Sequence, residues 1–365
     1  MRIALLADGI WPDTIGGMQK HSFYLAKYLS LNGIKVDLFY CAKDAALVVK
    51  QFNFDETLNI RFFKVDFPRV KIPFPGHYVY NSYRYSKRLY QLYIQQRPYD
   101  FTYSQGFTGW YFVKKGVSIG SNLHGLEMYQ KAFGLKSKLA QLLLRIPANT
   151  IIKKSAISFS LGGQLTQILE SKGAKLIKET PIGIGEEWLS NQPIHNEKIH
   201  FVFVGRNEKR KGLDLLFKVL QDIDPSSFVF HFIGIHSPDN LANKSHLIFH
   251  GELRDANQIK SIVSQCDCLV CPSIAEGMPT VILEAMAMNL AILATDTGAT
   301  RLLVDKENGL LIETDNANQL LNGLNYFCSI SKEALYQLKH SSYKKVSEKY
   351  LWPVSIQVTI NALKS

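Results

Sequence analysis

Two separate stretches of this chain alternate short apolar runs with segments of helical spacing, and that alternation restricts the fold more than any other feature. The first stretch opens with RIALLAD, a short apolar run ending in a polar loop. MQKHSFYLAKYLSLNG follows with helical spacing and a terminal Gly33 suited to a C-cap, and KVDLFY then reads as a strand. Strand, helix, strand is a βαβ unit, which implies a parallel sheet with its binding crevice at the carboxyl ends of the strands. The pattern restarts at IHFVFVGR (199–206), with a helix from about Leu213 to Asp222, then FVFHFIG (228–234), HLIFHG (246–251), CLVCPS (268–273) and LAILATD (290–296). The expected class is α/β, with two doubly wound Rossmann-like domains, and 365 residues suit two such domains. The boundary should fall in TPIGIGEEWLSNQPIHNEK (180–198), where glycine, proline and polar residues interrupt the periodicity. There is no internal repeat or low-complexity tract.

Composition narrows the function classes. Hydrophobic residues make up 46% and charged residues 20% of the chain, and no run approaches the ~18 apolar residues of a membrane span. The apolar stretch IALLA before Asp8 is too short for a signal peptide, and five cysteines, an odd number, argue for a reducing compartment over a disulfide framework. A cytoplasmic location is expected. The net charge of +11 is uneven: residues 1–185 hold 25 Lys and Arg against 11 Asp and Glu (+14), and residues 186–365 hold 17 against 20 (−3). A basic first half favours an anionic partner, whether nucleic acid, acidic membrane or phosphate-bearing substrate.

AEGMPTVILEAMA (275–287) sets Glu276 and Glu284 eight positions apart. Pro279 fits the first helical position, which puts Glu284 about one turn in and makes the amides of Gly277, Met278, Thr280 and Val281 candidate donors at a helix start, where the macrodipole favours an anion. Carboxylates on either side of a phosphate seat can accept hydrogen bonds from hydroxyls, an arrangement suited to a diphosphate with a sugar at both ends, as in a nucleotide sugar. The plainer reading is a loop acid followed by an exposed helix residue. VGRNEKRKGLD (204–214) supplies Arg206, Lys209, Arg210 and Lys211 between a strand and a helix. Arg can grip phosphate oxygens in a fork and Lys acts as a point charge, so this loop could neutralise a departing nucleotide diphosphate; alone, it is also a solvated basic turn. Two phosphate-suited loops at strand ends of one sheet favour the first reading.

On these residues the chain resembles the retaining glycosyltransferases of family 4. EGMPTVILE is similar to that family's E-x7-E motif, VGRNEKRKG to its Arg/Lys phosphate loop, SNLHGLE (121–127) to its His-Gly segment, DTIGGMQKH (13–21) to its N-terminal glycine loop, and TPIGIGEEWL to its linker. The resemblance covers nearly the whole chain; Asn289 departs from it, standing where a glycine is usual. It implies the GT-B fold, two Rossmann-like domains facing a cleft: residues 1–182 binding acceptor, 183–347 binding nucleotide sugar, and 348–365 a helix packing back toward the first domain. It further implies that Glu276 contacts the donor sugar, Glu284 the ribose, Arg206 and Lys211 the diphosphate, and His124 the sugar near the reacting carbon. Lys211 is favoured over Lys209 or Arg210 as the second cation. No metal or cofactor is expected beyond the nucleotide-diphosphate sugar as co-substrate, and the acceptor would be a glycan or lipid-linked hydroxyl.

Other features keep two readings each. Gly16 and Gly17 could admit a ligand close to the backbone at the first helix, or make a tight turn. His124 follows an apolar strand, where a structural role competes with a catalytic one. Cys266, Cys268 and Cys271 read as buried strand cysteines, since 271 faces away from the other two and no matching CxxC or His pair occurs. RVKIPFPGHYVYNSYRYSKRLYQLYIQQRPYD (69–100) is rich in tyrosine and basic residues. A helix from near Asn81 would carry Arg84, Arg88, Gln91 and Gln95 opposite Tyr85, Leu89 and Leu92. With GLKSKLAQLLLRI (134–146) it could meet an anionic membrane surface peripherally, or be an ordinary solvated face. No nucleic-acid motif is present, and nucleic acid is not expected as a partner. Rival functions are a glycoside hydrolase, whose carboxylates must flank the scissile bond from opposite sides, a nucleotide-sugar epimerase of the same architecture, and a nonenzymatic basic binding module.

Overall fold

The computed structural model describes residues 1–364 apart from 53–57, 73, 191–195, 242–243 and 254. Residues 191–195 of the expected boundary segment, and Pro73 of the aromatic approach, therefore lie outside the described residues. Two compact units divide the chain: Met1–Gly183 together with Trp352–Ser365, and Ile184–Leu351.

The first unit is built on seven parallel strands, β1 (Arg2–Leu6), β2 (Lys35–Tyr40), β3 (Ile60–Lys64), β4 (Phe101–Gln105), β5 (Gly120–Asn122), β6 (Ile157–Ser160) and β7 (Ile177–Glu179), in the order β3-β2-β1-β4-β5-β6-β7. The second holds six, β8 (Ile199–Val204), β9 (Phe228–Ile233), β10 (Leu247–Phe249), β11 (Cys268–Cys271), β12 (Ala291–Thr295) and β13 (Gly309–Ile312), ordered β10-β9-β8-β11-β12-β13 and again parallel. Both are doubly wound sheets. Strand order reverses between β1 and β4 and between β8 and β11, and at such a reversal the connections leave in opposite directions and open a crevice beyond the carboxyl ends.

Burial explains the strand sequences. In β1, Ile3 and Leu5 face a core with Leu25, Leu29 and Val36, whereas Ala4 and Leu6 face another with Phe39, Tyr85 and Leu89. A strand covered on both faces needs a continuous apolar run, and RIALL is one. In the second unit Phe201, Phe203, Phe230 and Phe232 line one face with Leu216 and Phe327; burying each such side chain is worth about 2–3 kcal/mol. The helix Trp352–Lys364 gives Ile356, Ile360 and Leu363 to the core of the first unit, and Trp352 stacks on Tyr24 and Tyr28 at 5.5 and 5.8 Å between ring centroids.

Some boundaries differ from the sequence expectation. The tyrosine-rich helix spans His77–Gln96, starting a turn before Asn81, because Gly76 adopts φ +86° and reverses the chain there. The segment at Gly134 continues to Lys154 through Pro147. Leu213–Val219 is α-helical and Leu220–Asp222 a 3-10 turn. Pro279 is the cap residue and not the first helical one: its ψ of 108° is extended, and its carbonyl accepts the first bond, from Ile282 N–H at 3.1 Å. Asn289 sits at φ +62°, a left-handed conformation that glycine adopts freely and asparagine tolerates.

Candidate functional site

In the second unit, the loop leaving β8 ends in a single 3-10 turn, Lys209–Lys211, followed by Gly212 at φ +71°. A Cβ on Gly212 would lie 2.1 Å from the Pro272 carbonyl oxygen, so only glycine lets the basic loop press onto the loop leaving β11. Ile274 N–H donates to the Arg210 carbonyl at 2.7 Å and joins the two loops. Lys211 Nζ consequently reaches Glu276 Oε1 at 2.6 Å, and Arg210 Nη1 lies 3.3 Å from Glu276 Oε2. Glu276 is buried, and Arg210 also binds Glu208 through Nε at 2.7 Å.

The third loop, after β12, is fitted as closely. Gly298 has φ +56°, and a Cβ there would stand 2.2 Å from the Gly277 oxygen and 2.4 Å from that of Glu276, while Ala299 N–H donates to the Gly277 carbonyl at 2.8 Å. Beyond Pro279 the helix Thr280–Ala287 begins; Thr280 and Val281 form its first turn, ahead of the first bonded N–H at its positive end. Met278 is buried, and Gly277, Thr280, Val281 and Glu284 are half-buried. The structure thus brings Lys211 and Glu276 together and adds Arg210, which the sequence reading passed over for Lys211. It does not bring Arg206 to them: that side chain is 75% exposed and pairs with Glu208 at 2.9 Å.

In the first unit, residues gather at the carboxyl ends of β1, β4 and β5. His124 follows β5 at φ +56°, its N–H donating to Asn122 Oδ1 at 2.8 Å. Its Nε2 is 2.5 Å from Oε1 of Gln105, the last residue of β4 and wholly buried, and Gln105 Nε2 is 3.0 Å from His21 Nδ1. The two imidazoles meet edge to face at 5.0 Å. Burial lowers the pKa of His21 to about 4; burial and the neighbouring His21 hold that of His124 well below the usual range, so both rings are neutral at pH 7. After β1, burial raises Asp8 to about 6, against the bond it accepts from Gln19 Nε2 at 3.2 Å. Gly16 caps the helix Gly17–Leu31 in extended backbone, and a Cβ on Gly17 would meet nothing within 4 Å. No tight turn demands glycine at 17.

Arg210 was visible in the basic loop, and Gly298 in the run DTGAT; Gln105, His21 and Asp8 carry no sequence signal, because only the order of β1, β4 and β5 assembles them. Cys266, Cys268 and Cys271 are buried free thiols, and among the described residues no three His, Cys, Asp or Glu side chains are placed to hold one metal ion. A cavity of about 380 Å³ lies on the far side of the second sheet, at the amino ends of β8, β11 and β12, lined by Ile199, Asp267, Asn289 and Lys339 among others and by none of the residues above.

Residues 198–329 match the family described as Glycosyl transferases group 1. An uncharacterized glycosyltransferase of Methanocaldococcus jannaschii is 28% identical over 75% of this chain and 77% of its own. A putative teichuronic acid biosynthesis glycosyltransferase of Bacillus subtilis is 29% identical over 34% of this chain and 31% of its own. Among solved structures, Anabaena HepE in complex with UDP and glucose superposes with a TM-score of 0.72 at 16% identity, over 100% of this chain and 99% of that one. The fold is GT-B. The chain is a glycosyltransferase of the GT-B type.

Proposed function

We propose that the protein is a retaining, metal-independent glycosyltransferase of family 4. It moves a sugar from a nucleotide-diphosphate donor to a hydroxyl of a glycan or lipid-linked acceptor in cell-surface polysaccharide or glycolipid synthesis. The observation that carries this reading is the convergence of Lys211 and Arg210 on the buried Glu276 carboxylate beside a helix start, at the carboxyl ends of neighbouring strands. In the reaction the bond from the anomeric carbon to the diphosphate oxygen breaks, the acceptor oxygen bonds that carbon on the same face, and the acceptor proton leaves with the diphosphate. Lys211, with Arg210 and Arg206, stabilises the leaving charge. Glu276 orients the sugar hydroxyls, Glu284 holds the ribose, and Gly277, Met278, Thr280 and Val281 bring backbone to the donor. His124 binds the sugar, and Gly16 and Gly17 leave room for it. Residues 1–182 take the acceptor and 183–347 the donor.

The relatives bear on donor and pathway: HepE is solved with UDP and glucose, and the Bacillus protein is named for teichuronic acid biosynthesis. An exposed apolar row in the first unit, Leu135, Leu139, Leu142 and Ile146, supports peripheral contact with the inner face of the membrane; among the described residues no helix is long and apolar enough to cross one. The test is turnover of nucleotide sugars with glycan and lipid-linked acceptors, with and without chelator, and NMR of the product linkage. Retained anomeric configuration and full activity in chelator are expected. Inversion, or a metal requirement in the chemical step, would overturn the reading.

A further inference from the structure

Gln105 is the only bridge described between two buried or half-buried imidazoles, and an amide cannot serve two such partners symmetrically. Its oxygen can only accept and its NH2 only donate. Because Oε1 faces His124 Nε2 at 2.5 Å, His124 must carry its proton on Nε2; because Nε2 faces His21 Nδ1 at 3.0 Å, His21 must leave Nδ1 bare and carry its proton on its own Nε2. Each element fixes one member of the row. β4 ends in Gln105, His124 follows β5, and His21 sits in the helix Gly17–Leu31, braced on its other side by Trp352 at 5.6 Å. The His124 backbone is held separately, its N–H donating to Asn122 Oδ1, while the ring is held by Gln105 and by the edge-to-face contact with His21.

We propose that Gln105 is a positioning residue that locks His21 and His124 as matched neutral Nε2–H tautomers, so that His124 offers its Nδ1 lone pair to a hydroxyl of the donor sugar. This rests on the assignment of His124 to the sugar. A hydroxyl that donates to Nδ1 keeps its own oxygen lone pairs for other donors, and a neutral ring adds no positive charge beside a sugar whose anomeric carbon becomes cationic in transfer. The acidic neighbour at this end of the sheet is Asp8, after β1, and the titratable group acting on His124 is His21. A carboxylate in place of the amide would accept from both rings and favour their protonated forms.

The experiment combines ring-15N NMR of the whole protein with kinetics. In the wild type both histidines should give the Nε2–H pattern at pH 7; Nδ1–H on His124 would overturn the proposal whatever the kinetics show. Gln105→Glu should move the acid limb of the kcat profile upward by on the order of one pH unit or more, with activity recovering at higher pH, because the ring loses its bare nitrogen when it protonates. Gln105→Leu should lower kcat about tenfold or more at every pH, with the KM for the nucleotide sugar changed less. Loss that only follows thermal stability, with the profile of Gln105→Glu unmoved, would reduce Gln105 to a structural residue. Wild-type turnover in His124→Ala would instead remove His124 from the sugar site, while the tautomers would still be read by NMR.

Discussion

Glu276 is the side chain on which the basic loop after β8 closes. It is buried with two cations against it, and removing it leaves Lys211 without its carboxylate while Arg210 keeps Glu208. Glu276→Ala therefore releases Lys211 for a diphosphate while deleting the group assigned to the sugar. Turnover should fall by on the order of 10²-fold or more, whereas affinity for the nucleoside diphosphate of the donor should hold within about tenfold or tighten. Glu284→Ala should do the reverse, weakening the nucleotide about tenfold or more through loss of a charged hydrogen bond, with kcat less affected. Calorimetric titration with the nucleoside diphosphates beside steady-state kinetics separates the two, and equal small effects would refute both roles. Lys211→Ala should cost more turnover than Arg206→Ala, since only the former is held at the carboxylate.

Elements set how close the loops can come. Gly212→Ala and Gly298→Ala each put a Cβ within about 2.2 Å of a backbone oxygen at a positive φ, as the geometry gives 2.1 and 2.2 Å. Each should destabilise the second unit by roughly 1–3 kcal/mol or more, read as a lower denaturation midpoint. Gly17→Ala, with open space around it, should fold normally, so any loss of activity there reports a ligand. The helix Gly134–Lys154 presents Leu135, Leu139, Leu142 and Ile146 at spacings of four, three and four, with Lys136 and Lys138 alongside. Liposome co-sedimentation should need anionic lipid, weaken with salt, and fail for Leu139→Asp with Leu142→Asp; failure of the wild type at low salt would remove the membrane from the proposal.

The same elements show what was legible. IHFVFV and FVFHFI are strands buried among aromatics, and their apolar runs are plain in the sequence. FTYSQ, GSN and ISFS are also buried parallel strands, yet Ser104, Gln105, Ser121, Asn122, Ser158 and Ser160 give them no apolar period, so β4 and β6 had no strand signal. Gln105 and Asn122, at the carboxyl ends of β4 and β5, both hold His124, and there the pattern fails because side chains position the site and do not fill the core. The acidic and basic loops were readable because each is local in sequence; the Gln105 bridge was not, since it joins residues 21, 105 and 124 across three elements.

Over the whole molecule, buried imidazoles make stability depend on pH in a stated direction. His21 and His231 are lowered to about 4, and His124, His200 and His250 are also lowered, chiefly by burial; His200, His231 and His250 form a row across β8, β9 and the end of β10, with nitrogens 3.2 and 3.1 Å apart. A folded-state pKa below the unfolded value means that the unfolded chain binds more protons, so stability should be full above about pH 6.5 and fall as pH drops toward 4. Asp8, raised to about 6, has the opposite sign: its ionisation penalty is relieved as pH falls through 6. Melting temperatures from pH 8 to 4.5 should therefore decline below about 6.5, less steeply in His231→Gln, and Asp8→Asn should raise the melting temperature most at pH 7–8. A flat profile would refute the burial of these rings.

The helix Trp352–Lys364 completes the core of the unit formed by Met1–Gly183. During synthesis that unit must wait, its sheet lacking Ile356, Ile360 and Leu363, until all of residues 184–351 have left the ribosome. The second unit, whose sequence is contiguous, can reach its final form first. A chain truncated before Trp352 should accordingly bind a nucleoside diphosphate yet remain protease-sensitive through residues 1–183, so the order of maturation runs opposite to the order of the sequence.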